Sequence, residues 1–298
     1  MRYKRWLIGF LAVIVLLLGA KYLLLDTAAA PAAPYAIDLA AMHRAAIASG
    51  PLPTRIEVEH IADFAFPRTL VVAGDGFRMH PMILLAHRVV WPDRSLIIDT
   101  ALSPRDADAL PGAKPYPAAY ARLEGALAKA TNILFTHEHV DHVGGVARAP
   151  NFAAIAKTTL ITREQLNGPR LERDKFAPGA LDQLKPLDYS GVYAVAPGVV
   201  LQKAPGHSTG TQLIYAELAS GARYLFVGDI AWTEDNLRLQ RGRPALLALL
   251  GKEDRAAVAA QVEAIAALPK DVHVVIAHDP VAYRRDLAAG LFHDGFMD

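Results

Sequence analysis

The sequence predicts an α+β fold in which two β-sheets pack together with helices outside, preceded by one apolar N-terminal helix. Three observations carry this. From Arg55 onward, short apolar runs separated by Gly, Pro or Asp recur in two series. Helix-like stretches accompany each series, and the first 25 residues form an apolar block behind a basic flank.

That block comes first. Arg2, Lys4 and Arg5 precede Trp6 to Ala20, a stretch without a charge, and after Lys21 the run Tyr22-Leu23-Leu24-Leu25 extends it. The apolar length is about twenty residues, enough to span a bilayer with Lys21 snorkelling to the far interface. The positive flank places the N-terminus in the cytoplasm, giving an inner-membrane anchor with the remainder on the periplasmic or extracellular side. Ala28-Ala29-Ala30 offers the competing reading, a signal peptide cleaved to release a secreted protein. The length of the apolar run favours the uncleaved anchor. Residues 1–26 are accordingly anchor or signal, 27–54 a linker and 55–298 the main domain. Within the linker, Thr27 to Pro34 is small and Pro-bearing, and a short Ala-rich helix is expected from Ile37 to Ala48.

The first series of expected strands is Arg55–Phe64, Thr69–Ala73, Met82–Val90 and Ser95–Asp99, followed by a helix at Ala118–Ala130. The second series is Thr159–Thr162, Tyr193–Val195, Val199–Lys203, Gln212–Glu217 and Arg223–Val227. Helices at Arg243–Leu250 and Glu253–Leu268 then lead to a last strand, Val272–Ala277. Between the halves, residues 163–187 are polar and carry Pro169, Pro178 and Pro186, a candidate lid.

Composition narrows the chemistry. A net charge of +1 with no basic run beyond the N-terminus gives no sign of a nucleic-acid partner, and nothing sets an oligomeric state. Cysteine is absent, which excludes disulfides, iron–sulfur clusters and thiolate zinc sites. A metal site here must use His, Asp and Glu.

Such residues concentrate in Thr136-His137-Glu138-His139-Val140-Asp141-His142. Neutral imidazole is the commonest side-chain metal ligand and carboxylate a usual companion. Residues two apart on a strand share a face, so His137 and His139 can converge on one ion at a strand end. A turn after them aims Asp141 and His142 at a second. The setting suits this, with apolar Ile133-Leu134-Phe135 before and Gly144-Gly145 after. Three later residues also sit at strand ends: His207 in Pro205-Gly206-His207-Ser208-Thr209-Gly210, Asp229 in Val227-Gly228-Asp229, and His278 in Ile276-Ala277-His278-Asp279.

This ordered set, T-H-x-H-x-D-H, P-G-H-[ST]-x-G, G-D and a final His, resembles the metallo-beta-lactamase superfamily over about residues 55 to 298. The resemblance implies a four-layer αβ/βα sandwich with the site at one edge between the sheets. It implies a first metal site of His137, His139 and His207, and a second of Asp141, His142 and His278, with Asp229 bridging. Two zinc ions are the implied cofactor; iron, manganese or cobalt suit the same donors. Asp141 and Asp229 are the implied catalytic carboxylates, around a bridging hydroxide that attacks a small-molecule substrate. Zinc lowers the pKa of bound water to about 7, which makes such a nucleophile available at neutral pH. Asp99 matches a family position behind the ligands, where a carboxylate holds a ligand histidine.

Around the ligands the chain looks most like N-acyl homoserine lactonases and glyoxalase II-type thioesterases. The metallo-beta-lactamases proper lack the bridging aspartate found here at Asp229, and flavin-linked di-iron reductases carry an acid where His139 stands. The lactonases place a tyrosine three residues after the bridging aspartate; here that position is Trp232, with Tyr215 or Tyr283 as candidate substitutes in the substrate pocket. The expected function is opening of a lactone or similar ester. The alternatives are a thioester hydrolase, with Arg284 and Arg285 available for glutathione, a phosphodiester or phosphotriester hydrolase, and a mononuclear iron sulfur dioxygenase. His43, His60, His80, His87, His273 and His293 match no motif and are expected at the surface or in packing.

Overall fold

A computed structural model describes residues 2–27 and 33–297. The Ala28-Ala29-Ala30 cleavage candidate and most of the Pro-bearing stretch lie outside the described residues.

The strands are β1 (Arg55–Pro67), β2 (Met79–Val90), β3 (Ser95–Ile98), β4 (Lys114–Pro115), β5 (Asn132–Leu134), β6 (Thr159–Thr162), β7 (Pro186–Leu187), β8 (Val192–Ala196), β9 (Val199–Lys203), β10 (Gln212–Glu217), β11 (Arg223–Phe226), β12 (Val272–Val275) and β13 (His293–Asp294). They form two sheets. The first runs β13-β1-β2-β3-β5-β6-β7 with β4 added on β1, and the second runs β12-β11-β10-β9-β8.

Alternation along the strands builds the layers, because successive side chains leave a strand on opposite faces. On β2, Ile83, Leu85 and Val89 face the second sheet, and they meet Val199, Leu201, Ile214 and Phe226 in a shared core. The intervening Met82, Leu84 and Ala86 face outward onto Tyr120, Leu123 and Leu127 of the helix Pro117–Lys129 and onto Val143 and Val146 of the helix Val140–Ala147. On β10, Ile214 and Ala216 point inward, while Leu213 and Tyr215 point out to Met42, Val258, Val262 and Ile265. The order is therefore helix, sheet, sheet, helix.

Two expectations change. Residues 39–47 of the presumed linker form a helix whose Met42 and Ala46 are fully buried against the second sheet, so this stretch belongs to the packed body. Burying the Met42 side chain contributes about 2 kcal/mol by area alone. Thr69–Ala73, expected as a strand, begins as one turn of helix, Arg68–Val71. Pro67 ends β1 because proline lacks the N–H the ladder needs. Arg68 then turns inward, with its Nε donating to Asp75 Oδ2 at 2.6 Å and a further ion pair to Asp235. Val71, Val72 and Ala73 are all buried, which leaves no alternation to sustain a strand.

Residues 163–187, the candidate lid, are pinned as a wall. Leu171, Phe176, Ala180 and Leu184 lie in the outer core of the first sheet, and Gln165 Nε2 donates to the Phe135 carbonyl at 2.9 Å.

The helix Val140–Ala147 docks closely through Gly145. A Cβ there would lie 2.4 Å from the Thr100 carbonyl oxygen and 2.9 Å from its Cβ. Gly145→Ala is expected to cost about 1–3 kcal/mol through overpacking against backbone that has little room to yield. A lowered melting temperature in thermal denaturation checks it.

Candidate metal centre

Every ligand candidate sits just beyond a strand end along one edge of the two sheets. His137 and His139 follow β5, and Asp141 and His142 open the helix Val140–Ala147. His207 follows β9, Asp229 follows β11, and His278 follows β12. The structure brings all seven together in two groups: His137, His139, His207 and Asp229; and Asp141, His142, Asp229 and His278. Within each group the candidate ligand atoms lie within 4.8 Å of one another.

Asp229 belongs to both, and its two oxygens divide between them. Oδ2 lies 3.7 Å from His137 Nε2 and 3.4 Å from His207 Nε2. Oδ1 lies 3.2 Å from His142 Nε2 and 3.0 Å from His278 Nε2. Asp141 Oδ2 is 3.7 Å from the Nε2 atoms of both His142 and His278. Gly228, at φ 51°, delivers Asp229 by passing directly over Thr136, where a Cβ would fall 2.7 Å from the threonine side chain. Arg243 Nη1 donates to the Asp229 carbonyl at 2.7 Å and fixes the turn from the other side.

Three histidines spend Nδ1 on acceptors behind them. His142 reaches Asp99 Oδ2 at 2.9 Å, His207 reaches Glu253 Oε2 at 2.8 Å and His278 reaches the Ile83 carbonyl at 2.8 Å. Each contact puts the proton on Nδ1 and turns the Nε2 lone pair inward. Nε2 of His137 and Nε2 of His142 are buried without a hydrogen-bond partner, and His207 Nε2 faces His139 Nδ1 at 3.0 Å. Lone pairs converging in a largely buried site beside two carboxylates suit a cation, because a buried polar atom left unsatisfied is costly. The donor set fits metal of the zinc class.

Electrostatics divides the histidines: burial lowers His142 and His278, but Asp99, Asp141 and Asp229 outweigh it at His142, and Asp229 and Asp141 at His278, holding both above the ordinary value. Burial, with His142 adding to it, pushes the His137 imidazole well below its ordinary value, and burial with His207 does the same to His139, so both are held as neutral ligands. Burial opposes ionisation of Asp229, but His278, His142 and His137 outweigh it and hold the carboxyl well below the usual carboxylate range.

Asp99 takes the expected place behind the ligands. Besides His142 it accepts from Thr136 N and Thr136 Oγ1, both at 2.8 Å. It sits at φ 58°, a conformation that asparagine also tolerates. Asp99→Asn is expected to keep the fold while weakening metal affinity about 10–100-fold, because the amide removes the charge that orients His142. Chelator competition followed by metal analysis checks this.

The sequence left other functional residues unmarked. Glu253, its side chain 3% exposed, binds His207 and also pairs with the buried Arg243. Glu138 alternates with the two ligand histidines and so faces away from the centre, where its carboxylate accepts from Ser208 Oγ at 2.6 Å. The strand period signalled that placement; no local pattern signalled Glu253. The tyrosine candidates fall elsewhere. Tyr215 points to the outer face of the second sheet and donates to Glu217 Oε2 at 2.6 Å. Tyr283 lines a separate hollow with His60 and Tyr116 and donates to Asp294 Oδ1 at 3.0 Å.

Trp232 does line the site. A cavity of about 270 Å³ opens beside His139, Asp141, His207, Asp229 and His278, walled by Phe64, Phe66, Met82, Leu102, Leu110 and Trp232. The indole stacks on Phe66 at 6.0 Å, and the Arg243 guanidinium lies over the indole ring at 5.1 Å. Arg170 and Glu172, from the 163–187 wall, stand at the same cavity.

The model of the metallo-beta-lactamase superfamily matches residues 89–278. The chain belongs to the metallo-beta-lactamase superfamily. The matched stretch holds all seven ligand candidates and is shorter at both ends than the expected 55–298. Among curated superfamily members, N-acyl homoserine lactonase AiiA of Bacillus thuringiensis subsp. kurstaki is 31% identical over 107 residues, 35% of this chain and 40% of the lactonase. Hydroxyacylglutathione hydrolase of Cupriavidus taiwanensis is 32% identical over 155 residues, 49% of this chain and 49% of the hydrolase. The alignment thus spans less than half the length of either relative. The superfamily fold is shared with a solved N-acyl homoserine lactone hydrolase holding N-hexanoyl-L-homoserine at its catalytic metal centre. Its TM-score is 0.59 at 17% identity, over 78% of this chain and 96% of that one. The dizinc quorum-quenching lactonase AidC gives a TM-score of 0.57 at 15% identity, over 76% and 89%.

Proposed function

We propose that this protein is a membrane-anchored dinuclear zinc hydrolase that opens a lactone or similar ester with an apolar substituent. The observation that carries this is the shared carboxylate of Asp229 between two ligand groups, set beside an apolar-walled cavity. When bound, two zinc ions supply a hydroxide nucleophile at neutral pH and a Lewis acid for the substrate carbonyl.

The chain's own residues do the rest. His137, His139 and His207 would hold one ion, Asp141, His142 and His278 the other, with Asp229 available to both. Asp141, its side chain 27% exposed against 2% for Asp229, is the ligand carboxylate open to the cavity. It would orient the attacking water, take its proton as the oxygen bonds to the acyl carbon, and pass that proton to the alkoxide as the ester C–O bond breaks. Phe64, Phe66 and Trp232 exclude bulk water and receive the apolar substituent, with no tyrosine at the lactonase position. A glutathione thioester is less well served, since Arg284 and Arg285 do not line the cavity and Arg285 is tied to Glu234 and Asp286.

The helix Arg2–Leu25 supports anchoring. Its span Tyr3–Leu25 is long and apolar enough to cross a membrane and is not buried in the body, with Arg2, Lys4 and Arg5 at the start. The positive flank puts the catalytic body on the periplasmic or extracellular side.

The test is metal analysis of the full chain in detergent, followed by turnover of lactones, a glutathione thioester, a phosphotriester and a beta-lactam. Two zinc-like ions per chain with lactones turned over fastest is the expected result. One iron per chain, or lactones inert beside a fast thioester or phosphotriester, overturns it.

A further inference from the structure

The end of the apolar helix is fastened to the body at a particular place. Thr69 Oγ1 donates to the Leu24 carbonyl at 2.8 Å, Gly74 packs against Leu25 and Thr27, and Arg255 reaches the Asp26 carbonyl at 3.0 Å. Tyr22 and Leu23 share a groove with Ala245, Ala248 and Leu249 of the helix Ala245–Gly251. Ala73 N donates to the Gly242 carbonyl at 3.0 Å, which ties these two body segments together beside the helix end.

Both segments carry large apolar side chains that none of the described residues covers. Leu249 and Leu250 are 71% and 64% exposed, and Phe77 and Met79 are 62% and 53% exposed. Single exposed apolar residues are ordinary, but here two pairs stand on segments that are tied to each other and that both touch the helix end. Exposed Arg78 and Lys252 sit in the same two segments. A helix of 23 residues covers roughly 35 Å, slightly more than the hydrocarbon thickness, so its last turn lies at the bilayer boundary. Whatever packs on that turn lies within the headgroup layer. The same helix Ala245–Gly251 presents Leu247 and Gly251 to the cavity beside the metal ligands.

We propose that the helix Ala245–Gly251 and the Phe77–Met79 segment rest in the bilayer interface, and that the cavity draws its substrate, a lactone or ester with a long alkyl chain, from the membrane. Apolar side chains with basic neighbours suit an interface of anionic phospholipid. The proposal rests on the anchored-hydrolase reading above, and its experiment separates the two.

The chain has no cysteine, so single labels are unambiguous. Leu249→Cys, Phe77→Cys and a control, Ser220→Cys, in the exposed β10–β11 turn at the sheet edge opposite the metal ligands, are labelled with a polarity-sensitive fluorophore. The full chain is then reconstituted into phosphatidylethanolamine and phosphatidylglycerol vesicles containing a headgroup-level nitroxide lipid. Quenching at positions 249 and 77 but not at 220 is expected. Equal quenching at all three, or none in chains that sediment with the vesicles, overturns the proposal and leaves the anchor standing. Blue-shifted emission without lipid quenching assigns the patch to a second copy and also overturns it. Failure to sediment overturns the anchor itself.

In the same vesicles, the double variant Leu249→Glu with Leu250→Glu is expected to lose about tenfold in kcat/KM on a long-chain lactone and keep its rate on a short soluble one, since delivery rather than chemistry is impaired. Equal loss on both, or no loss on either, overturns the proposal. Absence of activity on both in the unsubstituted chain instead overturns the hydrolase reading, while the quenching result stands.

Discussion

Asp229→Asn is expected to abolish full metal loading and to reduce turnover by about a thousandfold or more. The carboxylate is 2% exposed and offers one oxygen to His137 and His207 and the other to His142 and His278. An amide has a single oxygen, so it can serve one group only, and its NH₂ turns donors toward the other, where lone pairs already converge. Loss of several kcal/mol of transition-state charge stabilisation corresponds to roughly a thousandfold in rate. The side chain is nearly isosteric and Arg243 grips the backbone carbonyl rather than the carboxylate, so the fold is expected to persist. Metal content and kcat measured on one preparation check this. Full loading with turnover near that of the unsubstituted chain would refute the shared-ligand arrangement.

Glu253→Ala is expected to destabilise the fold by about 3–5 kcal/mol, the range for stranding one member of a buried ion pair. Arg243 is 2% exposed and pairs with Glu253, with Nε to Oε2 at 2.6 Å. Burial works against ionisation of Glu253, but Arg243 and His207 prevail and hold its carboxyl below the ordinary value. The sign follows: this part of the stability is present above the usual carboxylate range and is lost as the pH falls through the depressed value. The variant also strips His207 of its Nδ1 acceptor, so weaker metal retention is expected together with lower stability. Denaturant unfolding of Glu253→Ala, Arg243→Leu and the double variant separates the effects. The double variant recovers stability, because no charge is left stranded, but not metal affinity. A loss below about 1 kcal/mol in Glu253→Ala would sink the argument for a buried clamp.

The ligands were legible because their chemistry is local: histidines and aspartates at strand ends announce themselves within a few residues. Most strands were legible for the same reason, since a period of two needs only a short window. What escaped the sequence depends on long-range contact. Glu253 meets His207 across 46 positions and Arg243 across 10, with no motif to join them. Tyr215 has suitable chemistry, but it leaves β10 on the face opposite the shared core, and only the pairing of β10 with β9 and β11 decides that. The 39–47 stretch looked like connecting chain until Met42 and Ala46 found the second sheet. Thr69–Ala73 carried strand-forming residues, yet Pro67 and the inward turn of Arg68 set a different path.

The seven ligand candidates are divided between the sheets: four follow β5 in the first, and three follow strands of the second. The centre is therefore a clasp across the seam where the two halves of the sandwich meet, at an edge with no covalent cross-link, since the chain has no cysteine. Anything that binds the folded state alone stabilises it by mass action. Metal supply thereby becomes a determinant of how long the molecule survives as well as of whether it turns over, and a chelator should loosen the seam before it melts either sheet.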